Sequence, residues 1–183
     1  MDHYIDIKII PDREMRENLL MNKVYTKLHK ALFNLESNRI GVSFPKWKVM
    51  FGPVLRLHST KENLELLQKS NWLGGLIGYC SGGEIIPIPE RPQYRIISRV
   101  QSTMSQSKLK RLIKRGSITE SEVKIYKAKM FSKGLDNPYL ELESTSNGHK
   151  HRRYIQFGEL TDKSTEGVFD DFGLSKIATV PWF

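Results

Sequence analysis

His3-Tyr4-Ile5-Asp6-Ile7-Lys8-Ile9-Ile10 is the stretch of this sequence that decides the fold, because isoleucine occupies every second position from Ile5 to Ile9. Successive side chains of a β-strand point to opposite faces of its sheet, so these isoleucines share one buried face. Pro11 follows directly and cannot continue the pairing. We therefore predict that the chain opens with a half-buried strand.

A helix and two further strands are predicted after this strand. Apolar residues recur at helical spacing from Leu19 to Leu35, which indicates a helix of about 18 residues. Strands are expected over 40–44, which Pro45 ends, and over 54–58. The chain up to residue 58 therefore has the order β-α-β-β.

A second helix and a last strand complete this pattern. Ser59-Thr60-Lys61-Glu62 has the spacing of a capping box, which opens the helix. The glycine-rich stretch 74–83 breaks the helix, and 85–88 is predicted as a weak strand that Pro87 confines to a sheet edge. The resulting order, β-α-β-β-α-β, predicts an α+β fold that begins with a ferredoxin-like domain.

Closely spaced prolines predict a domain boundary near residue 92, with a ferredoxin-like domain over 1–92 and a smaller α+β domain over 93–183. The second domain is expected to contain a strand over 94–101 and a short basic helix over about 107–115, which Gly116 ends. Its remaining expected elements are a helix from a cap at 119–122 to about 133 and strands over 139–144, 152–157 and 168–172.

Positive charge is concentrated in two segments of the chain. The net charge is +9, and the isoelectric point is about 9.6. No acidic residue lies between Glu90 and Glu120, and that segment holds Arg91, Arg95, Arg99, Lys108, Lys110, Arg111, Lys114 and Arg115. A second acid-free stretch, 149–158, contains His149, Lys150, His151, Arg152 and Arg153. A polyanionic partner such as nucleic acid is the favoured interpretation, and a solvated charged face is the alternative.

Several classes of protein are disfavoured by what the sequence lacks. Its single cysteine, Cys80, permits no internal disulfide, and no apolar run approaches the ~20 residues of a membrane helix. The N-terminus has no basic region followed by an apolar stretch, as a secretory signal would. We expect a cytoplasmic protein without a membrane partner.

The predicted basic helix carries Lys110 and Lys114, and Arg111 and Arg115, at i, i+4 spacing. Like charges at this spacing repel each other and destabilise a helix unless an anion neutralises them. A phosphate backbone would supply that anion, and Lys108 extends the same charge. The alternative is a helix that only keeps the surface solvated.

Arg99 and Gln101 fall on one face of the strand before this helix, about 6–7 Å apart. Arginine can bind guanine through O6 and N7, and glutamine can bind adenine through N6 and N7, so the pair could read two neighbouring purines. The major groove of A-form RNA is too deep and narrow to read along its length. Such contacts therefore indicate the open end of a duplex, at a hairpin base or loop.

His29 is the candidate general base. It lies one place past Leu28 of the apolar stripe of the first helix, so its imidazole could line a cleft, although a histidine at such a position is more often inert. Asp170-Asp171 is the only adjacent acidic pair, and no cysteine pair or histidine–carboxylate cluster has metal-ligand spacing. We therefore expect no metal and no cofactor, and attack by the 2′-hydroxyl of an RNA with histidine as the base.

Motifs along the whole chain resemble the repeat-processing endoribonucleases of subtype I-F CRISPR systems. The matching motifs are Met1-Asp2-His3-Tyr4, Lys27-Leu28-His29, Arg39-Ile40-Gly41-Val42-Ser43-Phe44-Pro45, Tyr94-Arg95, Ser98-Arg99-Val100-Gln101, Gly173-Leu174-Ser175-Lys176 and Val180-Pro181-Trp182-Phe183. The combination is specific, whereas any one of these motifs alone is not.

The resemblance implies a ferredoxin-like domain followed by a smaller domain whose arginine-rich helix enters the major groove of a repeat hairpin. It implies metal-independent cleavage of the CRISPR precursor transcript just 3′ of the stem, which leaves a 2′,3′-cyclic phosphate and a 5′-hydroxyl. The implied partners are the repeat hairpin RNA, which stays bound as guide RNA, and the other subunits of the type I-F surveillance complex. A non-catalytic hairpin-binding subunit of that complex is the alternative.

The same resemblance implies a role for each residue that matches a family site. His29 is implied as the base, and Ser144 as the residue that holds the nucleotide at the cleavage site, with Ser146 as its neighbour. Arg99 and Gln101 are implied as the readers of purines at the base of the stem. The groove-binding cations are implied as Arg111 and Arg115, across a one-residue gap in the alignment, continued by Lys108, Lys110 and Lys114.

Two positions depart from the family pattern. Phe172 stands where the family has an active-site tyrosine that helps to orient the histidine, so the hydroxyl is missing. His151 stands where an aromatic residue contacts the nucleotide at the stem base, and its imidazole can still stack, though less strongly. Arg152 beside it is expected to add RNA-binding charge. We expect slower cleavage or orientation of the histidine by another group.

Overall fold

The computed structural model describes residues 1–101, 106–132, 136–143, 148 and 150–183, and within them the strands form two antiparallel sheets. The first sheet contains β1 (His3–Ile9), β2 (Gly41–Ser43), β3 (Val54–Ser59), β4 (Cys80–Gly82) and β5 (Ile86–Pro87). Its order is β2-β3-β1-β4, and β5 also pairs with β1. Together with its two helices, this sheet has the predicted ferredoxin-like arrangement, and the α+β class is confirmed.

The edge of this sheet consists of two short pieces rather than the single strand predicted over 85–88. β4 pairs with the end of β1, where Ile9 lies opposite Cys80, and β5 pairs with its beginning, where Tyr4 lies opposite Ile86. Gly82 has a φ of 93°, and a Cβ at this position would collide with the backbone of Asp6. The glycine-rich stretch was expected to break a helix, and here glycine also permits a close approach between strands.

Two helices belong to this half of the chain. α1 (Glu17–Asn34) buries Leu20, Met21, Val24, Tyr25, Leu28, Ala31 and Leu32. α2 (Lys61–Lys69) is capped by Thr60, whose hydroxyl accepts from the Asn63 backbone N–H at 3.5 Å. The cap lies one residue later than predicted, because Ser59 still belongs to β3 and donates instead to the carbonyl oxygen of Arg39. A 3₁₀-helix follows over Gly74–Tyr79.

The second sheet contains β6 (Gln93–Val100), β7 (Tyr139–Glu143), β8 (Lys150–Phe157) and β9 (Thr179–Trp182), in the order β7-β8-β6-β9. Its two helices are α3 (Gln106–Lys114) and α4 (Glu120–Ser132). Thr119 and Glu122 form the predicted capping box before α4, since the Thr119 N–H donates to Glu122 Oε2 at 2.8 Å. The predicted strand 94–101 and basic helix 107–115 correspond to β6 and α3.

The strand predicted over 168–172 is wrong, because this segment is a loop and a turn. Asp170 Oδ1 accepts hydrogen bonds from the backbone N–H groups of Phe172 and Leu174, each at 2.9 Å, and so stabilises a turn in place of a sheet ladder. The last strand is β9, for which no strand was predicted. Pro181 lies within it opposite Tyr94, whose backbone groups bond to Thr161, so the missing proline N–H is not needed there.

One cluster of buried side chains continues through both halves of the chain. It contains Leu28 and Leu57 on the first side and Leu140, Ile155 and Val180 on the second. The two sheets divide the sequence between β5 and β6, and the domain boundary at residue 92 stays a prediction. Among the described helices, none combines the length and the hydrophobicity of a membrane-spanning segment.

Candidate functional site

His29 lies on α1 beside the buried stripe of that helix and is itself half-buried. Its Nδ1 lies 3.0 Å from the backbone carbonyl oxygen of Asp171. A carbonyl oxygen only accepts hydrogen bonds, so Nδ1 carries the proton and Nε2 of the neutral imidazole is left as an acceptor. This contact selects the tautomer that a general base requires.

Phe172 supports the same imidazole from one side. Its ring stacks on His29 with the centroids 3.6 Å apart and the planes 12° from parallel. The turn formed by Asp170 holds the backbone of Phe172, and the hydroxyl of Tyr25 donates to the Phe172 carbonyl oxygen at 2.6 Å. Burial raises the pKa of Tyr25, so this hydroxyl remains a donor. Phe172 and His29 are therefore both fixed relative to α1.

Arg153 covers the Phe172 ring as well, with its Cζ 3.4 Å from the ring centroid. It lies on β8 and is only 7% exposed. Its Nε has no hydrogen-bond partner within the part of the chain that the structure describes. Desolvation and the nearby charge of Arg99 lower the pKa of the Arg153 guanidinium. From the sequence alone, Arg153 is only one cation of the acid-free stretch 149–158, and no role was predicted for it.

A cavity of about 350 Å³ opens beside His29. Among the residues that line it are His29, Phe172, His151, Arg153, Glu143 and Phe33. Three residues singled out from the sequence, His29, Phe172 and His151, are therefore brought to one place. Phe33 was missed, although it follows His29 by one helical turn and is 63% exposed, which is unusual for phenylalanine.

Arg99 and Gln101 line a second, larger cavity of about 900 Å³. Both side chains are exposed, and the Gln101 amide oxygen, turned toward Arg99, accepts from its Nη1 at 3.3 Å and its Nη2 at 2.5 Å. The other walls come from the segments 166–170 and 174–177. Arg99 lies opposite Ile155 on β8, two residues along from Arg153. The two cavities are therefore neighbours on the face of one sheet.

The basic side chains of α3 are exposed, as expected for a binding helix and equally for a solvated one. Leu109 is buried and anchors the helix against the protein. The exposed cations are Lys108, Lys110, Arg111 and Lys114, followed by Arg115 in the turn after the helix. Gly116 takes a φ of 63° there, which permits the turn that ends the helix.

The remaining predicted residues lie apart from these two cavities or cannot be described. Arg152 is exposed on the outer face of β8, with its Cζ 4.4 Å from the centroid of the Tyr139 ring. Ser144 and Ser146 lie outside the described residues. In the described ranges no three His, Cys, Asp or Glu side chains come together in a way that could hold a metal ion.

Known proteins resemble this chain over its full length. The family described as "CRISPR-associated protein (Cas_Csy4)" matches residues 4–183. A protein of Escherichia coli (strain UTI89 / UPEC) named "CRISPR-associated endonuclease Cas6/Csy4" is 38% identical over 184 residues, which covers 100% of both chains. A protein of the same name from Pseudomonas aeruginosa (strain UCBPP-PA14) is 37% identical over 187 residues, again 100% of both chains.

One solved structure, that of Thermus thermophilus Cse3 bound to an RNA representing a pre-cleavage complex, aligns with 99% of this chain and 100% of its own. The identity is 12% and the TM-score 0.37, a likeness too low to support an argument. The family match over residues 4–183 and the two full-length relatives show the family of this chain. The chain belongs to the Csy4 family of CRISPR-associated proteins.

Proposed function

We propose that this protein is an endoribonuclease that cleaves CRISPR precursor transcripts at the 3′ base of the repeat hairpin. Two full-length relatives are named as CRISPR-associated endonucleases, which supports the general activity. The observation that carries the proposal is the imidazole of His29, whose Nδ1 is engaged by the Asp171 carbonyl oxygen while its ring lines a cavity. Nε2 is thereby available to accept a proton from an RNA hydroxyl.

The proposed reaction uses a nucleophile that the RNA itself supplies. His29 Nε2 takes the proton of the 2′-hydroxyl, O2′ attacks the adjacent phosphorus, and the bond from phosphorus to O5′ breaks. Proton transfer to O5′ completes the reaction, which leaves a 2′,3′-cyclic phosphate and a 5′-hydroxyl. No metal ion or cofactor enters these steps. Ser144 stays assigned to the ribose at the cut by the family resemblance alone.

The missing tyrosine hydroxyl has a substitute in the backbone. The Asp171 carbonyl oxygen bonds His29 Nδ1, and the Phe172 ring keeps the stack, so orientation of the imidazole does not depend on a phenol. This favours the enzyme over the second candidate, a hairpin-binding subunit without activity. That alternative rests on the missing hydroxyl at Phe172. The contacts that orient His29 without this hydroxyl weaken the case for it.

The RNA is proposed to be held by the part of the chain after residue 92. Arg99 and Gln101, which line one cavity, would read two purines at the base of the stem. The exposed cations of α3 would bind the stem phosphates, with Arg152 and Ser146 as further contacts, and His151 would stack on the nucleotide at the stem base. The product hairpin would stay bound and connect the protein to the other subunits of a type I-F surveillance complex.

The test is incubation of the protein with a repeat hairpin RNA in the presence of EDTA, followed by mapping of the product ends. We expect one cut 3′ of the stem with a cyclic phosphate. His29→Ala should abolish cleavage and leave hairpin affinity within about threefold, a change well below one hydrogen bond to a charged group. His3→Ala is the matched control, because His3 lies on β1 outside the cavity.

A hairpin with a 2′-deoxy sugar at the scissile nucleotide should bind and remain intact. Cleavage of that hairpin, or cleavage by the His29→Ala protein, would rule out the proposed chemistry. Binding without cleavage by the unmodified protein would favour the hairpin-binding subunit instead.

A further inference from the structure

Arg153 is a buried cation in a protein whose other basic side chains are mostly exposed. Along β8, Arg152 points outward to solvent, while Arg153 shares the inner face with the buried Ile155. Only 7% of Arg153 is exposed, and it lines the cavity beside His29. Burial of a guanidinium requires a compensating partner, because loss of its hydration costs several kcal/mol in real proteins.

Apart from the ring of Phe172, the described residues compensate this burial only in part. None of their carboxylates forms an ion pair with Arg153, and Nε of Arg153 has no hydrogen-bond acceptor. Desolvation lowers the pKa of Arg153, and the charge of Asp170 opposes this shift only as its weakest cause, without forming an ion pair. Arg99 adds a like charge from the neighbouring strand. The inner face of this sheet therefore holds a positive charge that no carboxylate of the described residues pairs with.

The ring of Phe172 holds the guanidinium of Arg153 and the imidazole of His29 in a defined position relative to each other. His29 is stacked at 3.6 Å and nearly parallel, so it covers one face of the ring. The guanidinium, 3.4 Å from the same centroid, has room only on the opposite face. Imidazole and guanidinium thus flank one ring and line one cavity. An RNA strand at the ring edge could direct the ribose 2′-hydroxyl to His29 and a non-bridging oxygen of the adjacent phosphate to Arg153.

We propose that Arg153 is a further catalytic residue, which donates hydrogen bonds to a non-bridging oxygen of the scissile phosphate. The inference rests on the proposed function and deepens it. Attack by O2′ places an additional negative charge on the phosphoryl oxygens before the bond to O5′ breaks, and Arg153 offsets that charge without transferring a proton. Because it is desolvated before the RNA arrives, it interacts more strongly with this charge than an exposed cation would.

A purely structural role makes different predictions. A guanidinium stacked on Phe172 could serve packing alone, through a cation–π contact. In that case removal of Arg153 would lower thermal stability and loosen His29. The effect would not depend on whether the scissile phosphate carries oxygen or sulfur at a non-bridging position. In a catalytic role, an uncharged side chain of similar length keeps or raises thermal stability, because an unpaired buried charge is removed.

The experiment measures single-turnover cleavage of the repeat hairpin by Arg153→Gln, with Arg13→Gln, an exposed arginine outside the cavity, as the matched control. We expect Arg153→Gln to lose about 100-fold in rate, as for removal of one donor to a developing oxyanion. Hairpin affinity and melting temperature should be kept. Arg153→Lys, which retains the charge in less suitable geometry, should lose about tenfold in cleavage rate. This variant replaces Arg153→Gln in the test if the glutamine variant does not fold.

Hairpins with sulfur in place of one or the other non-bridging oxygen at the scissile phosphate identify the contact. The unmodified protein should cut one diastereomer more slowly, and this difference should shrink or vanish in either Arg153 variant. Equal rates for the variant and the unmodified protein, or an unchanged diastereomer preference, would overturn the inference while cleavage itself stands. Failure of the unmodified protein to cut any hairpin would instead overturn the proposed function.

Discussion

The hydroxyl of Tyr25 and the carbonyl oxygen of Phe172 lie 2.6 Å apart, so a fully buried residue of α1 holds the loop that carries the stacking partner of His29. His29 and the ring beneath it are therefore attached to the same helix, although they are far apart in sequence. The position of Phe172 against His29 therefore depends on a hydrogen bond in the core and not on residues of the cavity wall alone.

Tyr25→Phe should expose the importance of that contact. The change keeps the ring and removes only the hydroxyl, which leaves the Phe172 carbonyl without its donor, so we expect a loss of about 1–2 kcal/mol in the free energy of unfolding. Cleavage should slow as well, because the stack on His29 becomes less well fixed, while hairpin affinity stays the same. Urea denaturation and single-turnover cleavage measure the two effects. Unchanged stability would mean that this hydrogen bond contributes nothing net.

Arg99→Ala tests the reading of the stem base. If Arg99 contacts a guanine through O6 and N7, its loss should cost about 1–3 kcal/mol of binding and relax the base preference at one position. Affinity for hairpins with each of the four bases at that position is the measurement. Weaker hairpin binding with an unchanged base preference would indicate that Arg99 contacts a phosphate and not a base.

Much of the first half of the fold could be predicted, because its periodic patterns are long. The alternation over β1 and the stripe of α1 each bury a continuous face, and both agree with the structure. The edge strand and β9 were misjudged because strands of two to four residues carry too few positions to show a period. The turn around Phe172 was taken for a strand because an aspartate that caps backbone N–H groups leaves no periodic signal.

The candidate site divides in the same way. Residue type and position indicated His29, Arg99 and Gln101 as candidates. The high content of basic residues did not show that two of them, Arg95 and Arg153, contact the protein itself. Arg95 is part of the acid-free segment, yet it donates to the Gly158 carbonyl oxygen and packs its guanidinium over Trp182, with Cζ 4.5 Å from the ring centroid. Arg153 is buried in the inner face of β8. Charge composition cannot separate such residues from surface cations, because only packing decides which way a strand residue points.

Lys114→Ala should act differently from Arg99→Ala. Lys114 is exposed near the end of α3, where a phosphate contact would be independent of base identity. We expect weaker binding to all hairpins by a similar factor, and a slope of log affinity against log salt that is shallower by about one. Titrations at several salt concentrations measure this slope. An unchanged slope would assign Lys114 to the solvated surface, and Lys61→Ala on α2 provides a lysine control from the other half of the chain.

His58 should make the folded state sensitive to mild acid. It is fully buried, its Nε2 lies 2.8 Å from the hydroxyl of Ser43, and its Nδ1 has no partner among the described residues. Burial, with the charge of Arg56 as a second cause, lowers the pKa of His58 to about 3. Between that value and the ordinary pKa near 6.5, the unfolded chain binds a proton that the folded chain does not, so stability falls as the pH falls.

The expected loss is up to about 1.4 kcal/mol in the free energy of unfolding for each pH unit below 6.5. Urea denaturation from pH 7 to pH 5 measures it, in a range above the ordinary pKa values of the carboxylates. His58→Gln cannot titrate and should flatten the curve, even if the substitution destabilises the core at every pH. His3→Gln is the control, because His3 lies near the surface beside Asp2. A pH dependence that persists in His58→Gln would assign the effect to other groups and leave the buried imidazole without a role in acid sensitivity.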